Sequence, residues 1–349
     1  MKGCVCLVKH ACVSGGDSQW RLKMTYRFAF PVLALLVTGG CSGRDSTAPM
    51  SSPVASPATR PALVGSLSER GGSVSDRTFH FTTIDIRGAV ATQAFGINAR
   101  GDIVGEYVDG TSRSHGYVIR DGDTTTIDYP GAVFTHASAI GPGGDIVGFY
   151  RNAGEPAVNS HGFMRTNKGA FVAVDDPGHI NTVAEHILPD GTILGCRHDV
   201  DQMNTMRGII VSTNGSIAEL DMNGSMENGA TPDHRRVVGL YYPDMAGPNH
   251  QEGFLIDDGE FRQLHVPGSV ATQAWDMNPT GEIVGFYRTP ANVFNGFVLR
   301  EGDQYTPFDF PGATATRLRG INPRGDIVGT YNDVGGVSHG FVATGDARN

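Results

Sequence analysis

Six copies of a unit about 45 residues long, four β-like runs in each, and Gly, Asn or Asp turns between the runs predict an all-β chain: a six-bladed β-propeller of four-stranded blades. The clearest copy is FTTIDIRGAVATQAFGINARGDIVGEYVDGTSRSHGYVIRDGD at 81–123. Copies two, five and six keep its landmarks (GGDIVGFY with SHGF, GEIVGFY with NGFV, RGDIVGTY with SHGFV), and copies three and four hold the register with weaker matches. The four runs, a (TQAFGIN), b (DIVGEY), c (HGYVIR) and d (TTTIDY), alternate apolar with polar residues or are rich in β-branched and aromatic ones. No stretch after residue 76 has helical periodicity.

Each end of the repeat array has a meaning. It opens on a d-type run, Phe79–Asp85, and closes on a c-type run, His339–Val342. If a blade runs a-b-c-d, the last blade lacks its outer strand, and residues 79–85 are expected to supply it and remove a sheet edge.

Residues 77–349 therefore form the repeat domain. Upstream, Arg27 followed by the ten apolar residues 28–37 and small residues up to Cys41 resembles a bacterial lipoprotein signal, too short to span a bilayer. Residues 1–41 are expected to be an export region, with lipidation at Cys41 or cleavage for plain secretion. Met24 is the expected true start. Residues 42–76, rich in Ser, Pro and Ala, are expected to be a disordered tether. The protein is thus expected in the cell envelope or outside the cell, touching a membrane only through a lipid at Cys41.

Charge divides the same way. Residues 1–76 carry eight Lys and Arg against four Asp and Glu; residues 77–349 carry 19 against 32. A domain with a balance of −13 repels phosphate backbones, which argues against nucleic acid as partner. Only Cys196 lies in the repeat domain, so no internal disulfide is possible there. A monomer is expected.

The segments Gly96–Gly105 and Gly320–Gly329, each followed by a His-Gly-aromatic step, resemble the HAF-type extracellular repeat family, as a variant with Gly between the His and the aromatic residue. The resemblance covers nearly all of 79–343 and implies an extracellular, propeller-like protein. It carries over no catalytic residue.

Residues that recur in most units read as architecture. Asp85, Asp128, Asp175, Asp221 and Asp309 recur after a hydrophobic residue and are expected to bond the backbone of the following turn. His115, His161 and His339 share a position with Arg207, Glu252 and Asn295, a mixture that does not suit a metal site. Gly101, Gly144 and Gly325 are expected to supply positive φ in the a–b turn.

Function is expected where the units differ. The b–c loops vary most: 151–160, 198–206 and 242–251 are the long ones, on consecutive units. In run a, Ala94, Ala137, Ala184 and Ala274 stay small while their neighbours change. One variable set is Phe95, Ser138, Glu185, Gly229, Trp275 and Arg319; the other is Gln93, His136, Val183, Glu227, Gln273 and Arg317. With run a innermost, Gln93, Phe95, His136, Glu185, Glu227, Gln273, Trp275, Arg317 and Arg319 would converge on the channel mouth and suit a polar ligand with an apolar face, such as a sugar. G-x-S-x-G, H-E-x-x-H and Gly-rich phosphate loops are absent from the sequence. The expected function is non-enzymatic binding of a polysaccharide, peptide or protein, with no cofactor or metal. The alternatives are a carbohydrate-active lyase or hydrolase using His136, Glu185 and Glu227, and a structural surface protein.

Overall fold

The computed structural model describes residues 69–74, 77–199, 205–220, 222, 224–243, 250–300 and 304–346. Every element defined over them is a β-strand. The signal region and Cys41 lie outside the described residues. After β1 (Glu69–Val74) and β2 (Arg77–Ile84), the strands fall into six groups. Unit 1 is β3 (Ala89–Ile97), β4 (Ile103–Asp109), β5 (Ser114–Arg120) and β6 (Asp123–Ile127). Unit 2 is β7 (Ala132–Ile140), β8 (Ile146–Asn152), β9 (His161–Arg165) and β10 (Phe171–Ala173). Unit 3 is β11 (Asn181–Ile187), β12 (Ile193–His198), β13 (Arg207–Val211) and β14 (Ile217–Glu219). Unit 4 is β15 (Met226–Ala230), β16 (Arg236–Tyr241), β17 (Glu252–Asp257) and β18 (Glu260–Leu264). Unit 5 is β19 (Ala271–Met277), β20 (Ile283–Arg288), β21 (Phe294–Arg300) and β22 (Gln304–Pro307). Unit 6 is β23 (Ala315–Ile321), β24 (Ile327–Asn332) and β25 (Ser338–Gly345), with β2 as its fourth strand.

Within a unit, neighbouring strands are antiparallel. One parallel bridge, Ser114 to Phe134, joins units 1 and 2 into a continuous sheet. β2 pairs with β25 from Phe79↔Gly345 to Ile84↔Gly340. Phe79 and Phe81 on β2 are fully buried, with ring centroids 4.8 and 5.3 Å from that of Phe308.

The first strand of every unit carries a β-bulge at the same place. In unit 1, Ala94 faces Gly105 and Gly96 faces Val104, leaving Phe95 unpaired. The equivalents are Ser138, Glu185, Asn228, Trp275 and Arg319. The bulge drives the preceding carbonyl toward the second strand. A Cβ on Gly105 would run into the Gln93 carbonyl, and Gly148, Gly195, Gly239, Gly285 and Gly329 stand in the same position against His136, Val183, Met226, Gln273 and Arg317. This is why each unit reads apolar-apolar-Gly at that point.

The core is distributed between units. Val104, Val118 and Ile127 of unit 1 pack on Ala137, Ile140 and Ile146 of unit 2. Ile84 and Val328 of the last unit share a cluster with Ala94, Ile97 and Ile103 of the first. The glycine that opens the third strand allows the close approach: Gly116 faces Ala137 and Gly340 faces Ala94.

The structure revises two expectations. Residues 69–74, inside the expected tether, form β1 and pair with β2 from Glu69↔Phe81 to Val74↔Arg77. Main-chain pairing on an edge asks little of side chains, so composition did not reveal it. Asp221 lies outside the described residues, and the other recurring Asp residues bond no backbone group of the following turn. Instead Asp128 meets His115 Nδ1 at 2.8 Å, Asp85 meets His339 Nδ1 at 2.8 Å, and Asp309 accepts from Gly296 N–H at 2.9 Å. The turn is held by a threonine six residues on: Ile86 N–H donates to Thr92 Oγ1 at 3.1 Å, with Thr135, Thr182, Thr272 and Thr316 equivalent.

Each of the three recurring histidines bridges two carboxylates of its own unit. His115 lies between Asp128 and Asp109 (2.8 and 3.2 Å), His161 between Asp175 and Glu155 (3.3 and 3.1 Å), and His339 between Asp85 and Asp333 (2.8 and 3.5 Å). In unit 4 the partners are exchanged: Glu252 holds the histidine position and His265, 3.0 Å away, the aspartate position. The pair is a charge clamp between the third and fourth strands.

Two predictions follow from this packing. Gly105→Ala should destabilise the chain by about 1–3 kcal/mol through the forced carbonyl clash, while Gly110→Ala, with open space around it, should stay within about 0.5 kcal/mol; urea midpoints measure both. The second concerns pH. The hydrogen bond to Asp175 raises His161, against the opposing effect of burial and with help from Glu155, to about 9. A raised histidine stabilises fully below its unfolded value near 6.5, and that stability is lost as pH rises to about 9. His161→Gln should lower the thermal midpoint at pH 6 and leave it nearly unchanged at pH 9.5.

Candidate functional site

The first strands of units 5, 6, 1 and 2 bring a chain of aromatic and cationic side chains into contact. Trp275 stacks on Phe286 with centroids 6.0 Å apart. The Arg319 guanidinium lies 3.6 Å from the Trp275 ring centroid, 5.3 Å from Phe286 and 5.5 Å from Phe95. Phe95 stacks on His136 at 4.3 Å, and His136 on Phe149 at 4.4 Å. Arg317 lies over Phe294 at 3.9 Å. Arginine over an aromatic face is held by the ring quadrupole and still presents its N–H edge.

Three of these residues protrude because of the bulges: Phe95, Trp275 and Arg319 are the unpaired residues of β3, β19 and β23. Glu185 is the bulged residue of β11 and acts on Arg319 through its charge. Burial lowers the Arg319 guanidinium to about 9, with Glu185 raising it and Arg317 lowering it further. The Arg319 Nε atom is buried and has no hydrogen-bond partner among the described residues. Gln273 accepts from Trp275 Nε1 at 3.1 Å and donates to Gln251 of a long b–c loop. Gln93 is partly buried on β3, where its carbonyl accepts from Tyr117 Oη at 2.9 Å.

Glu227 is a correction. Counting back from Gly239 aligns Glu227 with Gln93 and Gly229 with Phe95. The structure pairs Glu227, not Met226, with Gly239, which is the place of Ala94. The a–b turn of unit 4 runs through Thr231–Arg236, one residue longer than Asn98–Asp102 of unit 1, and His234 in it has φ 61°. One inserted residue moves every side chain upstream by one place. Met226 and Asn228 therefore occupy the two variable positions. Glu227 is packed between units against Gly208, 1% exposed, with Oε2 lacking a hydrogen-bond partner. Burial raises its carboxyl to about 8. Of the acid/base candidates His136, Glu185 and Glu227, Glu227 is thus withdrawn into the packing between units.

What the sequence reading missed lies on the second strands. Glu106, Phe149, Cys196, Leu240, Phe286 and Thr330 each follow the apolar-apolar-Gly step and pair with the first-strand positions of Gln93, His136, Val183, Met226, Gln273 and Arg317. This second variable set was visible in the repeats, one residue after the glycine. Glu106 matters most: it meets His136 Nδ1 at 2.7 Å. Units 2 to 4 are apolar here, with Phe149, Val183, Cys196, Met226 and Leu240 in one cluster that Trp275 joins.

Two further groups bear on the site. His186 of β11 lies 3.7 Å from Asp276 of β19, so units 3 and 5 meet across Gly229, where a Cβ would press on Asp276. Burial raises the Asp276 carboxyl, opposed by His186 and by the N–H groups of Ile321 and Met277. Asp176, His179 and Glu219 approach closely enough to share a cation. Arg197 already stands among them, 2.8 Å from Glu219 and 3.7 Å from Asp176, and supplies that charge.

Glu227 generates a pH prediction. A carboxyl raised in the fold gives full stability below its unfolded value near 4.5 and loses it as pH rises through about 8. Glu227→Gln should flatten that decline and raise the urea midpoint at pH 9 above the wild type, with little change at pH 4.5.

No family model matches the chain, and no curated protein matches it. Solved structures do. TolB from Acinetobacter baumannii matches over 74% of this chain with TM-score 0.50 at 11% identity, and the chain spans 65% of that protein's length. A putative TolB from Agrobacterium tumefaciens matches over 74% of this chain and 91% of its own, with TM-score 0.52 at 14% identity. The SapL1 lectin, solved in complex with alpha methyl fucoside, matches over 74% and 96%, with TM-score 0.50 at 11% identity. The chain is similar in fold to these β-propeller proteins.

Proposed function

We propose that this chain is a six-bladed propeller closed by β2, exported to the envelope or beyond as a variant of the HAF-type repeat family, and that it binds a polysaccharide at the channel mouth without transforming it. The observation that carries the reading is the aromatic-cationic run Phe286, Trp275, Arg319, Phe95 and His136 on adjacent inner strands. Flat aromatic faces take the C–H faces of a sugar ring, while Gln273, Gln251 and the His136–Glu106 pair offer hydroxyl partners at the rim. A rigid scaffold carrying variable loops is the usual setting of a binding surface. The burial of Glu227 between units weighs against the acid/base alternative and favours binding as the simpler reading.

The test is retention of the full chain on a panel of immobilised cell-wall and extracellular polysaccharides. Wild type should be retained by at least one of them, and Trp275→Ala should lose that retention at least tenfold while keeping its thermal midpoint within a few degrees. Equal retention of the variant sinks the channel-mouth site, and no retention of the wild type on any polymer sinks the polysaccharide reading.

A further inference from the structure

The residue just ahead of the His115 position is Ser114, Ser160, Met206, Gln251, Phe294 and Ser338 in the six units. In units 1, 2 and 4 its main chain meets the first strand of the next unit: Ser114 bridges to Phe134, Ser160 to Asn181, and the Thr272 N–H donates to the Gln251 carbonyl at 2.9 Å. In units 4 and 5 its side chain also reaches a variable residue of that next strand. Gln251 accepts from the Gln273 amide, and Phe294 lies under the Arg317 guanidinium at 3.9 Å. Gln273 and Arg317 hold equivalent places, opposite Phe286 and Thr330.

The side-chain bonds around Gln251 have one possible direction. An indole N–H only donates, so Gln273 turns Oε1 to Trp275 Nε1 at 3.1 Å and has Nε2 for Gln251. Gln251 therefore presents Oε1 to Gln273, and its own Nε2 donates to Tyr242 Oη at 2.8 Å. Tyr242 is buried in the apolar cluster of units 2 to 4. Tyr242 begins the long b–c loop of unit 4 and Gln251 ends it, so the relay ties the polar edge of Trp275 to the core at both ends of that loop. Each amide keeps one hydrogen and one lone pair for a ligand. We infer that Gln251 is a positioning residue of the channel-mouth site: acting through Gln273, it fixes the plane of Trp275, against which the sugar ring is laid. Its part in binding rests on the polysaccharide reading above; its hold on Trp275 is measured without a ligand. A platform held by packing alone can turn about its side-chain torsions, and a hydrogen bond at its polar edge removes that freedom.

Trp20 and Trp275 are the two tryptophans of the chain, so in the full chain carrying Trp20→Phe the indole emission reports Trp275 alone. In that background Gln251→Leu, which keeps the bulk and removes the amide, should shift the emission maximum by several nanometres and raise acrylamide quenching about twofold. It should also lower retention, on the polysaccharide of the panel above that holds the parent, about fivefold. Gln263→Leu removes an exposed amide that accepts from Tyr241 Oη on the outer strand of the same unit, and should change none of the three. Tyr242→Phe, lacking only the far hydroxyl, should move all three in the direction of Gln251→Leu and serves if that variant folds poorly. Emission and quenching that stay at the parent values in both variants overturn the inference, and so does emission that moves while retention holds. A parent retained by no polymer sinks the polysaccharide reading; the emission and quenching of Gln251→Leu then still decide whether Gln251 places Trp275.

Discussion

The glycine opposite each first-strand bulge is the constraint on which the structure depends. The bulge turns one carbonyl into the space where the second strand would carry a Cβ, so the second strand can pair only with glycine there. That single steric demand recurs in all six units and leaves one first-strand residue per unit outside the ladder. Those residues are the ones free to differ. Architecture and variability are therefore two outcomes of the same local geometry: the carbonyl before the bulge forces a glycine, and the bulged residue itself is released from pairing.

Between units the chain relies on smallness, and within each unit on polar side-chain ties. Small residues of one first strand meet the third-strand glycine of the preceding unit, which brings the sheets close enough to bury a shared apolar layer. Glu227 occupies that tight place in unit 4. A carboxyl there is large and dry, which is why it is held toward its neutral form. At the rim, histidine and carboxylate tie the third strand to the fourth. In unit 4 Glu252 and His265 exchange places and keep the contact at 3.0 Å. Arg197 plays the same part among Asp176, His179 and Glu219.

The inner surface is unequal around the molecule. Units 2 to 4 present an apolar cluster, and units 5, 6 and 1 present stacked cations and aromatics. His186 and Asp276 meet across Gly229, between units 3 and 5.

Period, strand type and turn positions were legible in the amino-acid order, because alternation of side chains and the demand for positive φ are local properties; φ is 92° at Gly101 and 91° at Gly144. The variable positions of the first strand were legible for the same reason in five units. Tertiary structure decided the rest. The register of unit 4 turned on one extra residue in a hairpin, which only strand pairing reveals, and it moved Glu227 from the expected site into the packing between units. Strand β1 arose from main-chain pairing that composition does not encode. The pairing of Glu106 with His136 joins residues of adjacent units, and the stacking of Arg319 on Trp275 and Phe95 joins three. Such contacts depend on how one sheet leans on the next, a relation between units that no repeat contains within itself.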